Sequence, residues 1–413
     1  MVKMADAKDT KAEPAGHKGP PLAGMRVLEL TTRLAGPFCA GLLAEFGAEV
    51  IKVELPGKGD PFRYMGTMTE AGSTLCFLCE NRNKKTITLD VRTPEGAALF
   101  RRLAASCDMV VENFRPGTLE RWGIGYEALK AVKEDLILVR VSAYGQDGPY
   151  RDRPGVARIA YGYSGIAYLC GEKDGPPLIP ATNPLGDYIA GLYAVIAGLM
   201  AYIGRNRYGV GQYADVSLFE SIFRLLDELA PAYSKFGYIR ERDGASSPNS
   251  VPSNHYLSKD QKWIVLAATA NDMFKRLAVV MGRPEMPEKF PTLDSRIAAR
   301  EEIDAVIAAW VGSLPRDEVL RRVNEGGVTG GPINNIADIF EDEHFKARGT
   351  LVEFEDKRIG KVTVPNVYPR LSETPGELRT LGPDLGEYND EIYREQLGLA
   401  PDAIDDLRKR GII

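Results

Sequence analysis

The chain reads as an α/β protein: a large domain on a Rossmann-like parallel sheet, interrupted by a smaller α/β insert domain. Three observations predict this. Short apolar, β-branched runs alternate with stretches of helical spacing, the pattern of repeated βαβ units. The loops richest in Gly, Pro, Arg and Asn all fall where a strand would end, which is the edge where open α/β sheets hold ligands. The alternation then breaks at a stretch of small and polar residues, 240–254, before a second set of elements begins.

Residues 1–20 carry no apolar signal core, and their acidic residues do not suit a transit peptide, so a disordered tail on a cytoplasmic protein is expected. The large domain opens at residue 21. Strand "MRVLELT" leads through the loop 32–37, "TRLAGP", into the helix "FCAGLLAEFG" and the strand "AEVIKVE". After the loop 54–63 come the strand "KTITLDV", the helix "PEGAALFRRLAASC" and the strand "DMVVENF". The loop 112–117, "ENFRPG", precedes the helix "YEALKAVKED", and the strand "LILVRVSAYG" runs into a long loop over 142–155. A helix follows within 183–205, whose apolar run Ile189 to Ile203 is shorter than the ~20 residues of a bilayer span and is expected to be buried. A strand and a helix in "GQYADVSLFESIF" bring the first part of the domain to residue 225. Residues 226–254 read as a linker, 255–335 as the small domain, and 336–413 as the return into the large domain.

Composition narrows the chemistry. The 413 residues carry a net charge of −5, which leaves no basic footprint for nucleic acid, so an anionic ligand needs a local cluster of cations. Only three histidines occur, His17, His255 and His344, too few to supply a His-dependent triad or a multi-histidine metal site. Cys76 and Cys79 form a C-x-x-C without a second pair, and buried apolar thiols are the simpler reading. No P-loop motif is present, and "GYSGI" around Ser164 only approximates a nucleophile elbow. Glu54 closes the second strand where a ribose-binding acid would lie, yet the first loop lacks G-x-G-x-x-G, which excludes a dinucleotide fingerprint.

One carboxylate stands apart. Asp187 heads the apolar helix in "NPLGDYIAGLYAVIAGLMAYIGR", with no histidine or cysteine near it in sequence. It is either a helix N-cap or a nucleophile, and the two roles are compatible because one oxygen can be anchored while the other attacks. A carboxylate with the ordinary pKa of about 3.9 is ionised at neutral pH and needs no base to activate it.

Six segments in order, "LAGPFCAGLLAEFGAEVIKVE", "NRNKKTITLDV", "ENFRPGTLERWGIGYEAL", "VSAYGQDGPYRDRPG", "GQYADVSLFES" and "RLSETPGELRTLGPDLGEYNDEI", resemble the family III CoA-transferases, which include formyl-CoA and crotonobetainyl (carnitine) CoA-transferases. The likeness runs from about residue 21 to the C-terminus. It implies an interlocked dimer, homodimeric or with a homologous subunit, that moves coenzyme A from an acyl-CoA to a free carboxylic acid. Coenzyme A is then a substrate, and neither metal nor resident cofactor is expected. The family's aspartate, which forms a mixed anhydride, matches "LGDYIAGLYA" at Asp187. Ala35, Gly36 and Pro37 match the first CoA loop, Asn113, Phe114 and Arg121 match CoA contacts, and Tyr144 matches a tyrosine near the reacting carboxylate. Arg82, Lys84, Lys85 and Arg115, with Arg121, are the cations expected to meet the phosphates of CoA.

Gly186 is expected to let an acyl group approach, and backbone N–H groups near Asp187 or in the loop 248–254 to serve the oxyanion. The racemases of this fold carry G-H-D after the "RPG" loop; here Val156 stands in place of the histidine, which removes the base. The segment "FRLLDELAPAYSKFGYIRERDG" resembles members acting on dicarboxylic acids, with succinyl-CoA as donor and a malate-like, citramalate-like or aryl-succinate acceptor, and makes Arg240 or Arg242 a candidate for the second carboxylate.

Overall fold

The computed structural model describes residues 19–413, so the tail expected over 1–20 lies almost wholly outside the described residues. Six strands form the main sheet: β1 (Arg26–Leu30), β2 (Glu49–Glu54), β3 (Lys85–Thr88), β4 (Met109–Glu112), β5 (Ile137–Ser142) and β6 (Gln212–Ser217). Their order is β3-β2-β1-β4-β5-β6 and every pairing is parallel. This is the doubly wound arrangement, and its order reverses between β1 and β4. Strands β4 and β5 are buried along their whole length, as near-continuous apolar runs must be when helices cover both faces. Leu28, Ile51, Val110 and Leu138 lie at the centre of that core.

Two helices pack against this sheet and against each other. The helix expected from Phe38 starts at Ala35 and runs to Glu45, because Pro37 falls in its first turn, where the missing N–H has no intrahelical partner to lose. Ala35, Gly36 and Pro37 are therefore helix rather than loop. A Cβ on Gly36 would sit 2.5 Å from Thr31 Cγ2, so only glycine lets the helix leave β1 this tightly.

The helix Leu185–Tyr208 presents Gly186, Ala190, Gly191, Ala194, Gly198 and Ala201 to the core. A Cβ on Gly191 would meet Ala35 O at 2.9 Å, so the two helices touch backbone to side chain along this small-residue stripe. The opposite face is not buried as expected: Leu192, Ile196, Met200 and Ile203 are exposed. By length and composition this helix could cross a membrane, but one of its faces is packed on the sheet.

The chain forms two compact units: residues up to Ser164 with Asn183–Leu225 and Thr350–Ile413, and a second of Gly165–Thr182 with Leu226–Gly349. These bounds differ from the expected linker and small domain. The polar stretch 240–254 is tied into the second unit, since Gly244 N–H donates to Gly171 O at 2.9 Å and Asp243 pairs with Arg300. That unit holds an antiparallel sheet of Ser253–Leu257, Trp263–Ala267 and Gly330–Pro332 over a core that includes Ile264, Phe274, Ile307 and Val323.

Candidate active site

A cavity of about 590 Å³ opens at the C-terminal ends of β1, β4 and β5, where the sheet order reverses, and Asp187 lines it. A second cavity, of about 740 Å³, lies over the ends of β1, β2 and β3 and shares Thr32 and Phe114 with the first. Both belong wholly to the larger unit.

Four buried charges fix the loop that follows β1. Lys52 Nζ lies 2.8 Å from Glu29 Oε1 and 2.9 Å from Asp60 Oδ2, and Lys84 Nζ lies 2.9 Å from Glu29 Oε2. Two acids thus offset two bases, which is the condition for holding charge away from water. Burial pushes Glu29 up, but Lys52 and Lys84 outweigh it and hold the carboxyl below the usual range. The remaining capacity goes to the loop: Lys52 donates to Thr31 O at 3.2 Å, Lys84 to Pro37 O at 2.7 Å, and Asp60 Oδ1 accepts Arg33 N–H at 2.9 Å. Just past the end of β4, Asn113 Oδ1 accepts Thr32 N–H at 2.9 Å and its Nδ2 donates to Thr32 O at 2.7 Å. Arg33 is pinned between these anchors at φ 66°, in the left-handed region that non-glycine residues rarely occupy.

Asp187 is the third residue of its helix and not the cap. The cap position is Pro184, with no side-chain hydrogen bond, and Asp187 N–H donates to Pro184 O at 2.9 Å. No group among the described residues hydrogen-bonds its carboxylate. Burial raises its pKa from 3.8 to about 6, with Arg33 opposing the rise. The ordinary value assumed from sequence is thereby corrected, yet at pH 7 a group of pKa about 6 is still about nine-tenths ionised. Gly186 serves packing rather than substrate access: its N–H donates to Tyr161 Oη at 2.9 Å, and a Cβ there would meet Ile222 Cδ1 at 3.0 Å. The N–H groups of this first turn are therefore taken. The helix Ala35–Glu45 does have a free N-terminus at the cavity: its cap, Leu34, offers no side-chain acceptor, and Leu34 and Ala35 line the space.

Of the residues expected at the site, Ala35, Asn113, Phe114, Arg115 and Asp187 line the Asp187 cavity. Gly36 and Pro37 are buried in the helix below it. Arg121 donates to Thr118 Oγ1 at 2.9 Å and lines neither of the two cavities, and the Tyr144 ring packs with Tyr150, Tyr163 and Phe219 while its neighbour Ala143 lines the Asp187 cavity.

The "NRNKK" cations are a correction. Lys85 begins β3 at the opposite edge of the sheet and pairs with Glu49 and Glu391 at 2.8 and 2.6 Å. Arg82 pairs with Glu45 at 2.9 Å and donates to Pro365 O at 2.7 Å, and Lys84 is consumed by the buried quartet. All three hold the fold. Arg240 pairs with Asp227 at 2.9 Å and Glu228 at 3.2 Å, and Arg242 stacks on Tyr168, all within the second unit. Cys76, read as buried, is exposed. Glu54 is unavailable to a ribose, because Arg63 clamps both its oxygens at 2.7 and 2.8 Å.

The residues missed were Arg33, Arg151 and Arg153, which line the Asp187 cavity. Each stands in a strand-end loop already singled out, so asking which cations those loops carry would have found them. Val156 also lines the cavity, with no proton to exchange.

Residues 22–389 match the family described as CoA-transferase family III. The succinyl-CoA–L-malate CoA-transferase alpha subunit of Chloroflexus aurantiacus is 50% identical over 411 residues, covering 98% of this chain and 96% of that one. The succinyl-CoA–L-malate CoA-transferase beta subunit of the same species is 46% identical over 397 residues, covering 95% and 98%. A CAIB/BAIF family protein from Brucella suis superposes with a TM-score of 0.82 at 35% identity, covering 92% of this chain and all of that one. The chain belongs to CoA-transferase family III. It is a CoA-transferase.

Proposed function

We propose that this enzyme moves coenzyme A from succinyl-CoA to a dicarboxylic acid of the malate type, with Asp187 as the covalent relay. The observation that carries the reading is Asp187 itself: a carboxylate made more basic by burial, unengaged by the chain, in a cavity that also holds Arg33, Arg115, Arg151 and Arg153. The dicarboxylate assignment leans on the relatives named for succinyl-CoA and L-malate and on this excess of cations.

The chemistry balances without water or ATP. A carboxylate oxygen of Asp187 attacks the thioester carbon, the C–S bond breaks, and CoA leaves as its thiolate, giving a mixed anhydride. Attack of that thiolate on the Asp187 carbonyl releases the donor acid as a carboxylate and leaves CoA on Asp187 as a thioester. The acceptor carboxylate then repeats the two steps in reverse order. In each tetrahedral intermediate the oxyanion needs donors, and the uncapped N-terminus of the helix Ala35–Glu45 supplies them beside Asp187. The long CoA molecule suits two cavities that meet at Thr32 and Phe114, with Lys58 and Arg115 as exposed cations for its phosphates.

The enzyme works in the cytoplasm as a pair with a homologous chain, a second copy or a close relative. The exposed apolar face of the helix Leu185–Tyr208 supports that pairing. Incubation with succinyl-CoA and hydroxylamine or borohydride, followed by peptide mass analysis, should place a modification on Asp187, and Asp187→Ala should abolish transfer. An unmodified Asp187, or full transfer in the variant, ends the covalent reading.

A further inference from the structure

Transfer from a dicarboxylyl thioester poses a problem that a monocarboxylic acyl group does not. Its second carboxylate must enter the cavity beside Asp187, and a carboxylate taken from water without a partner is costly. A site built for such acyl groups therefore needs a cation near the nucleophile that the fold leaves unused. Four arginines line the cavity. Arg153 lies over the Tyr150 ring at 3.4 Å, and Arg151 sits 3.6 Å from Asp152. Arg115 and Arg33 have side chains without a partner among the described residues, and of the two only Arg33 acts on the charge of Asp187.

The backbone at Arg33 is also held from both sides. Its N–H is held by Asp60 at 2.9 Å, and its neighbour Thr32 is held on both backbone groups by Asn113. Together they keep it at φ 66°, a conformation that costs free energy and persists only where surroundings enforce it. The left-handed residue marks the point where the chain turns from β1 into the helix Ala35–Glu45, and it places an unpaired guanidinium on the wall shared with Asp187.

We propose that Arg33 selects dicarboxylic acyl groups, its guanidinium donating to the free carboxylate while the other carboxyl of the same group reacts at Asp187. This rests on Asp187 as the relay. Arg33 and Asp187 form no ion pair with each other, so the guanidinium keeps its donors for the substrate. A guanidinium presents two parallel N–H groups to a carboxylate, which favours a second acid group over a hydroxyl or amide of similar size.

The test compares succinyl-CoA with butyryl-CoA, which has the same chain length and lacks the distal carboxylate. Calorimetry is done on Asp187→Asn and on Asp187→Asn combined with Arg33→Asn, since asparagine tolerates the left-handed backbone at position 33. The expected result is a Kd for succinyl-CoA raised roughly 10- to 100-fold by the second substitution, the weight of a charge-assisted pair, with the Kd for butyryl-CoA unchanged. Arg33→Gly on the same background, which also accepts φ 66°, gives the same selective loss and guards against a fold effect of asparagine. Equal weakening of both thioesters would make Arg33 a CoA contact, and no weakening of either would leave the second carboxylate to another residue; each overturns the proposal. Continued turnover by Asp187→Asn instead defeats the nucleophile reading alone. Arg33 is then judged by the ratio of KM values for the two donors in the native protein and in Arg33→Asn.

Discussion

The pKa of Asp187 ties its reactivity to its cost. Burial lifts the carboxyl from 3.8 to about 6 while Arg33 restrains the rise, so the proposed nucleophile is more basic than a surface aspartate and still mostly ionised at neutral pH. Transfer from succinyl-CoA should therefore fall about tenfold per pH unit below about 6, and kcat/KM measured from pH 5 to 8 should show a single acidic limb there. A limb near 4 would mean that the site is wetter than the structure has it. The same shift sets the sign of a stability effect. The folded pKa lies above the unfolded one, so the ionised carboxylate weakens the fold, fully above about pH 6 and not at all below 3.8. Asp187→Asn should accordingly be inactive and more stable at pH 8 by up to about 3 kcal/mol, with the gain gone at pH 3.5. Urea unfolding at the two pH values checks this, and an equal effect at both would separate the stability change from ionisation.

At the scale of elements, the loop after β1 is held from two sides. The quartet of Glu29, Lys52, Asp60 and Lys84 lies under it and Asn113 holds it from just past the end of β4, so a helix start and a strand end are locked together. Glu29→Gln leaves two lysines buried with one carboxylate, and should cost about 3–5 kcal/mol in chemical unfolding. Asn113→Ala frees both backbone groups of Thr32 and should cost about 1–2 kcal/mol, with a larger fractional loss of transfer than of stability because Arg33 loses its anchor. If transfer survives in a folded Asn113→Ala, the loop does not depend on that clamp. These roles also show where sequence reading stops. The strand-end loops and the parallel sheet were legible, because hydrophobic period and turn residues are local signals. The fate of "NRNKK" was not: its partners Glu45, Glu29, Glu49 and Glu391 lie on other elements, and a lysine destined for burial looks like one destined for water until those elements are placed. Asn113 was found for its position, but its clamp on Thr32 was not foreseen, since those hydrogen bonds cross 81 residues.

At the scale of the molecule, the helix Leu185–Tyr208 has two unlike faces. Its first turn carries Asp187, its glycine and alanine stripe packs on the core, and its outer face shows Met200 at 67% and Ile203 at 65% exposure. The apolar run looked like a wholly buried helix from sequence because hydrophobicity alone does not tell a core from a face awaiting a partner. The bounds of the second unit were missed for a related reason: Gly165–Thr182 joins it through contacts that no local composition signals. A row of large apolar side chains on one helix face is a poor match for water and a good one for a second chain. Replacing Met200 and Ile203 together by glutamate tests this without disturbing the fold, since exposed substitutions usually change stability by no more than about 0.5 kcal/mol each. Two carboxylates buried in an apolar interface without partners would by contrast oppose association strongly. Light scattering should find a two-chain mass for the native protein, twice 45.3 kDa for a pair of identical copies, and 45.3 kDa for the double variant. If the double variant keeps the two-chain mass, the partner sits on another face and the exposed row on this helix has a different occupant.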